Sequence, residues 1–384
     1  MSETSNLFDY IVWRGDLTLD KAPFTAVDGL ILSAFSYVHM DSLIKSDRDF
    51  TVTVKDVANR FLRLPVGVRP RVRSKLDSTL LQLLRDSKRF GDMRIGFCRD
   101  VFDPDKETQF AAVTILLDES EALVAFRGTD ATLVGWKEDF NMSFQEVVPA
   151  QLAAVDYLEY VASQLDCRLR VAGHSKGGNL AVFAASQCKN SVQDRIIAVY
   201  NNDGPGFCEK ILGSEGYIRM LDKVNAFVPQ DSVIGMLLDH GKAYTVVRSM
   251  QVGLSQHDPY TWTVKGPDFE RLEEVTRGSR MTERVVEDWL ESLTNEERGK
   301  FVDAVYELVT SGGASFTTDI GKLKNVLAAV KTYKGADEST KRMVTSALKR
   351  LIRSAVNAFR KEGGQEKQPA AQGKRSVQPV NGRS

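Results

Sequence analysis

Histidine and cysteine are scarce in this chain, with four of each among 384 residues. Cys98, Cys167, Cys188 and Cys208 form no CxxC pair, which leaves neither a zinc ribbon nor a disulfide framework supported. HExxH and the phosphate-cradling GxxxxGK[ST] are both missing, so no metal and no cofactor is expected. An excess of one charge is missing as well: 51 Lys and Arg balance 51 Asp and Glu, unlike a mainly electrostatic nucleic-acid binder. No apolar run reaches the ~18 residues of a membrane span, and the start lacks a basic segment followed by an apolar stretch. These absences predict a cytoplasmic protein with reduced thiols. They also limit any general-base histidine to His39, His174, His240 or His257.

The patterning that is present predicts an α/β fold with a mostly parallel sheet, flanked by a helical N-terminal part and a helical C-terminal extension. Residues 1–105 read as mainly helical, with apolar spacing in AVDGLILSAFSYV (26–38) and KLDSTLLQLL (75–84). From 106 to 270 short apolar runs alternate with helices. QFAAVTILL and ALVAFRG flank a DESE turn, VPAQLAAVDYLEYVASQL (148–165) is helical, and LRVAGHS, RIIAVYNN, KVNAFVP and AYTVVRS read as strands. Residues 271–361 read as helical, with Thr282 placed to cap the first helix and Thr294 with Glu297 at capping-box spacing for the second. The Gly/Pro/Gln-rich end, 362–384, reads as disordered.

Gly173-His174-Ser175-Lys176-Gly177 matches GxSxG, a pattern that a chain this long meets by chance in about one case in ten. Its context gives it meaning, because it joins a buried strand to the small-residue helix GGNLAVFAASQC. A sharp strand-to-helix turn lifts the serine hydroxyl above the sheet, and the flanking glycines avoid clashes that a Cβ would cause. The helix N-terminus offers N–H groups to a developing oxyanion. Ser175 is therefore the candidate nucleophile; a merely structural turn is the alternative.

A serine nucleophile needs a base, and in this fold class the order along the chain is Ser, acid, His. That order removes His39, and His174 is expected to leave the elbow in the opposite direction. Of the two later histidines, His257 follows the last strand in the loop GLSQHDPYTW and is the expected base. Two acids compete. Asp203 ends IIAVYNN and Asp231 follows VNAFVP, both at strand C-termini where ligands gather in open sheets. Either also has a bland role, Asp203 as a turn initiator and Asp231 as a helix cap. The oxyanion hole is assigned to the N–H of Lys176 and to Thr129 in Arg127-Gly128-Thr129, through its N–H and its hydroxyl; an ordinary polar loop is the alternative there.

AFRGTDATLVGWKEDF and VAGHSKGGNLAVFAA resemble the oxyanion and nucleophile segments of fungal-type class 3 lipases. Over residues 7 to about 310 the chain is similar to the bacterial Mbeg-like family of unknown function, within the α/β-hydrolase superfamily. DYIVWRGDLT, GHSKGGNLA, YNNDGPGF, FVPQDSVIGMLL and QHDPYTW carry that likeness. The lipase pattern implies Ser175, His257, Asp231 and Thr129. The Mbeg-like pattern more usually has a hydroxyl residue at the place of Asp231 and its aspartate in YNNDGPGF, which implies Asp203, the first choice here. Lys176 stands where lipases commonly have Leu, and an altered pocket mouth is expected from it.

The resulting expectation is a serine esterase of lipase type acting on an acyl-lipid or small ester. Thioesterase or acyltransferase chemistry would use the same triad, and a non-catalytic binding or scaffold module is the alternative of another class. No nucleic-acid partner is expected. Thr340–Lys361 carries Lys341, Arg342, Lys349, Arg350, Arg353, Arg360 and Lys361 without an acid, with Val344, Leu348, Leu351, Ala355 and Phe359 on one face. Such a helix either rests on an anionic membrane or a protein, or packs on the domain with a solvated basic face.

Overall fold

The computed structural model describes residues 4–44, 48–70, 72–103, 105, 108–130, 132–142, 145–241, 244–313 and 323–365, with backbone alone at 323 and 359–365. The strands are β1 (Val52–Thr53), β2 (Arg94–Asp103), β3 (Thr108–Leu116), β4 (Glu121–Phe126), β5 (Arg168–His174), β6 (Ile196–Asn202), β7 (Val224–Pro229), β8 (Thr245–Val247), β9 (Val264–Lys265), β10 (Asp268–Phe269) and β11 (Arg271–Leu272). Among the described residues nine of them form one sheet in the order β1-β2-β3-β4-β5-β6-β7-β8-β11, and β9 pairs with β10. Neighbours from β4 to β8 run parallel, and the pairs at both ends are antiparallel.

Helices cover both faces. The helices α1 (Leu7–Arg14), α2 (Ala26–Phe35), α3 (Val54–Arg63) and α4 (Asp77–Asp86) share one core with the sheet, in which Leu30, Ile31 and Leu84 meet Ala125, Ala172 and Ala198. Every residue of α2 from Val27 to Phe35 is buried. Its Asp28 is charge-paired inside the core with Arg89, through hydrogen bonds of 2.7 and 2.6 Å. The helix α5 (Leu133–Asn141) follows β4, and α6 (Pro149–Gln164) and α7 (Lys176–Gln187) cover the opposite face. Short α8 (Asn190–Gln193), α9 (Glu209–Leu212) and α10 (Glu215–Met220) complete the crossovers.

The boundary expected at 105 is displaced. The segment 1–105 already holds β1 and β2, and β2 is an interior strand of the main sheet, so this part is continuous with the core. Arg94, Gly96, Arg99 and Asp100 hide β2 from an apolar pattern, and its second half is exposed, so no alternation marks it.

The C-terminal region comprises α11 (Arg277–Glu291), α12 (Asn295–Thr310), α13 (Leu323–Gly335) and α14 (Glu338–Gln365). Thr276 caps α11, accepting from the N–H of Ser279, whereas Thr282 lies inside the helix and donates to the Gly278 carbonyl. The expected cap is thus six residues too late, because Gly278 and Ser279 look like loop residues. The Thr294–Glu297 capping box on α12 is formed. Packing ties α14 to α11, where Trp289 donates to the Ala347 carbonyl at 2.9 Å. Lys137 of α5 pairs with Asp303 of α12 at 2.7 Å, joining this region to the sheet domain. The α14 backbone runs on to Gln365, past the expected end at 361, and the tail 366–384 lies outside the described residues. Among the described residues no helix is long and apolar enough to cross a membrane.

Candidate active site

Sheet register sets the site. His174 of β5 pairs with Asn202 of β6, and Phe126 of β4 pairs with Gly173. The next residues of these three strands therefore emerge together at the carboxyl edge: Ser175, Asp203 and the loop Arg127-Gly128-Thr129. Ser175 occupies φ 58°, ψ −134° between β5 and α7, a conformation that costs a non-glycine residue on the order of 1–3 kcal/mol. The glycines around it are required by contact. A Cβ at Gly173 would lie 2.0 Å from the Gly177 carbonyl carbon, and one at Gly177 would lie 2.2 Å from the Phe126 oxygen. The turn is closed by the Ser175 N–H donating to the Asn202 carbonyl at 2.9 Å.

Asp203 also has positive φ, 54°, and is buried. Its Oδ2 stands 2.6 Å from His257 Nδ1. Its Oδ1 accepts from the Ser232 hydroxyl at 2.5 Å and from the Gly235 N–H at 3.1 Å. Both carboxylate oxygens are therefore satisfied, and the His257 ring is oriented with Nε2 as its other polar atom. Asp231 lies elsewhere: it accepts from Gln256 Nε2 at 2.8 Å and from the Thr276 hydroxyl, and its N–H donates to Gln256. It fixes the neighbour of His257 rather than His257 itself.

The other histidines have separate surroundings. His39 lies 3.1 Å from Asp100 and 3.8 Å from Asp130. Burial opposes the Asp100 charge, yet hydrogen bonds from His39 and Arg127 hold its pKa below the usual carboxylate range. The Arg127 guanidinium grips Asp100 with bonds of 2.8 and 2.7 Å and so anchors the Thr129 loop on β2. His240 Nε2 bonds to the Gly235 carbonyl.

His174 is the surprise. Its ring lies against that of His257, with centroids 4.7 Å apart, and its Nε2 lies 2.7 Å from the His257 carbonyl. Its Nδ1 meets the Tyr37 hydroxyl at 3.0 Å. Burial, then the nearby His257 and Arg73, push its pKa well below the usual imidazole value, so it is neutral. A neutral imidazole that bonds a carbonyl through Nε2 carries its proton there, and Nδ1 accepts from Tyr37. The same loop is clamped by Arg73, 2.8 Å from Asp258, and by Tyr260, which donates to Asp77 at 2.6 Å. Residues of the N-terminal helical part thus hold the His257 loop from behind. Sequence spacing gave no sign of this, although the aromatic and basic residues among the otherwise apolar N-terminal segments were visible.

Thr129, Ser175, Lys176 and His257 line one cavity of about 480 Å³. Lys176 is the first residue of α7, so its N–H has no intrahelical acceptor. The Lys176 side chain does not alter the cavity mouth as expected. It runs inward, and its ammonium donates to Glu138 at 2.8 Å and to the Gln109 carbonyl at 2.9 Å, with both charged groups buried. The Thr129 hydroxyl is committed to Asp139, at 2.7 and 2.6 Å from its two oxygens, which leaves the Thr129 N–H as the group able to face an oxyanion. Burial, with Glu138 adding to it, raises the Asp139 pKa to about 6 against the pull of Lys176 and Thr129. The remaining walls are apolar, with Trp136 and Phe140 from α5, Ile234 and Leu237 beyond β7, and Trp289 and Leu351 from the C-terminal helices.

Three solved structures give the scale of similarity. The Rhizomucor miehei lipase propeptide complex is 14% identical, with a TM-score of 0.37 over 67% of this chain and 76% of that one. M37 lipase is 13% identical, with a TM-score of 0.35 over 66% and 84%. A mutant form of MDLA from Penicillium cyclopium is 14% identical, with a TM-score of 0.37 over 65% and 86%. No curated protein matches the chain. The model of the Mbeg1-like family matches residues 84–307, more than half of the sequence and all of the strands from β2 to β11, and the chain belongs to that family.

Proposed function

We propose that the protein is a serine hydrolase that cleaves carboxylic esters with a large apolar part through an acyl-enzyme. The observation that carries this reading is the 2.6 Å contact of His257 Nδ1 with buried Asp203, on the wall of the cavity that the strained Ser175 also lines. Ser175 Oγ attacks the ester carbonyl while His257 Nε2 takes its proton. Asp203 holds Nδ1–H and stabilises the imidazolium. The N–H groups of Lys176 and Thr129 receive the developing oxyanion. His257 then gives the proton to the departing alkoxide as the C–O bond breaks. Water repeats the cycle on the acyl-enzyme, releasing the acid and restoring Ser175.

The cavity supports the choice of substrate. An apolar void of about 150 Å³ admits benzene, so about 480 Å³ has room for at most about 18 carbon atoms. Among the described residues its walls offer aromatic and aliphatic contact and no cation to pair with a charged substrate, apart from the inward Lys176. A fluorophosphonate probe is the direct test: one adduct per chain, located on Ser175 and missing in Ser175→Ala. Absence of an adduct on the unaltered protein overturns the reading.

A further inference from the structure

We infer that the outer faces of α13 and α14 form a docking surface for an anionic lipid bilayer. Between Leu323 and Lys361 the sequence has ten Lys or Arg and two acids, Asp337 and Glu338, which leaves an excess of acids in the rest of a chain that is neutral as a whole. The inner face of α14 is occupied, with Val344, Ala347, Ser354 and Ala358 buried and Leu351 reaching the cavity. One basic residue belongs to that side: Arg350 bonds Glu297 at 3.0 Å.

The outer face combines two features. Glu338, Lys341, Arg342, Thr345, Ser346 and Lys349 line a shallow groove of about 390 Å³, with three cationic heads and two hydroxyls against a single acid. One turn further along the same face, Ile352 and Val356 are 64% and 43% exposed, flanked by exposed Arg353, with Leu348 (45%) at the groove's edge. On α13, Leu327 (60%) and Val330 (47%) stand among exposed Lys324, Lys331 and Lys334. Tyr333 and Thr345 meet at 3.3 Å, so the two stripes adjoin.

Apolar side chains exposed beside cations, twice over on adjoining helices, match the interface of a bilayer, whose phosphate headgroups surround accessible acyl chains. Large apolar residues at this exposure cost solubility unless something covers them. Charge selects an anionic cover. Phe359, Arg360 and Lys361, expected to extend the face, have side chains outside the described residues. The surface is independent of the chemistry proposed for Ser175, but α14 also walls the same cavity through Leu351, so docking would bring lipid to that side of the protein.

The test is sedimentation of the full chain with vesicles of phosphatidylcholine alone or with 30% phosphatidylglycerol. Binding to the mixed vesicles only, weakened by salt, is expected. Each basic residue near such a surface contributes about a fivefold factor in partitioning, so Lys349→Ala with Arg353→Ala should weaken binding about 25-fold. Ile352→Asp should weaken it as well, while Val66→Asp, at an exposed site on the sheet domain, should leave it unchanged. Circular dichroism melts check that the variants fold, as their exposure predicts. Equal sedimentation with both vesicle types, no sedimentation, or unchanged binding by both α14 variants overturns the inference. So does concentration-dependent dimerisation, or binding of an RNA or DNA oligomer, that the same variants abolish while vesicle binding persists. Fluorophosphonate labelling of the docking variants stays at the unaltered level if both proposals hold, and fails in every variant and in the unaltered chain if only the catalytic one is wrong.

Discussion

Replacing Lys176 by Met isolates the buried charge pair under the candidate active site. The ammonium and the Glu138 carboxylate are 2.8 Å apart, which is about 6 kcal/mol of attraction at an effective dielectric of about 20. Removing the cation leaves a carboxylate that still accepts from the N–H groups of Gln109 and Ala150, at 3.1 and 3.0 Å, and these offset part of the loss. A buried ion stranded in this way costs about 3–5 kcal/mol. At 2–4 °C per kcal/mol for a domain of this size, Tm should fall by about 10 °C. Adding Glu138→Gln removes the stranded charge while keeping an amide oxygen for one N–H, so the double variant should recover about half of the loss. Differential scanning calorimetry gives the melting points. Below the lowered Tm, the fluorophosphonate labelling rate should be unchanged, since the backbone N–H is the group proposed to act. A drop in stability under about 1 kcal/mol for Lys176→Met refutes the reasoning.

Asp203→Asn should leave the fold intact and slow Ser175 labelling by about 10³–10⁴-fold, because the amide favours the wrong His257 tautomer; Asp231→Asn should lower stability and leave the labelling chemistry in place, and the reverse ranking would transfer the acid to Asp231. Asp139 titrates near 6 in the fold and near 3.8 when unfolded, so the native state holds the extra proton and stability declines as pH rises from about 4 to 6. With the side chain 32% exposed, the full linkage of about 3 kcal/mol reduces to about 1–2. Asp139→Asn should therefore be more stable than the unaltered chain at pH 8 in urea melts and gain little at pH 4; an equal gain at both values contradicts this. Tyr37→Phe strands the buried acceptor Nδ1 of His174 and should cost about 1–3 kcal/mol, with slower labelling through a loosened His257 loop; unchanged stability and rate would remove Tyr37 from that role.

Local chemistry made part of the site legible. Ser175 sits in a turn whose flanking glycines all fall within five residues, and His257 follows from chain order and scarcity. The choice between Asp203 and Asp231 was open because both end parallel strands. What separates them is the positive φ of Asp203 and the reach of Ser232, neither of which has a pattern in sequence. His174 looked like a bystander because its partners, Tyr37 and the His257 carbonyl, lie 137 and 83 residues away. Lys176 looked like a mouth residue because its counter-ion, Glu138, belongs to a helix that follows another strand. On the fold, apolar runs marked the strands β3 to β7 closely. β2 escaped because half of its length faces solvent, and the start of α11 slipped because Gly278 and Ser279 are poor helix formers that a threonine cap overrides.

The pairing of His174 with Asn202 makes the distance between Ser175 and Asp203 a property of the backbone ladder. Side-chain repacking beneath the site barely touches it, whereas a slip of β6 by one residue would point Asp203 to the opposite face and bring Asn202 or Gly204 to its place. Tolerance to insertion should therefore be sharply uneven along this crossover. Extra residues after α7, around Lys189, are absorbed before the ladder begins; a single extra residue between Ile196 and Asn202 disconnects the two halves of the site while leaving a folded protein behind.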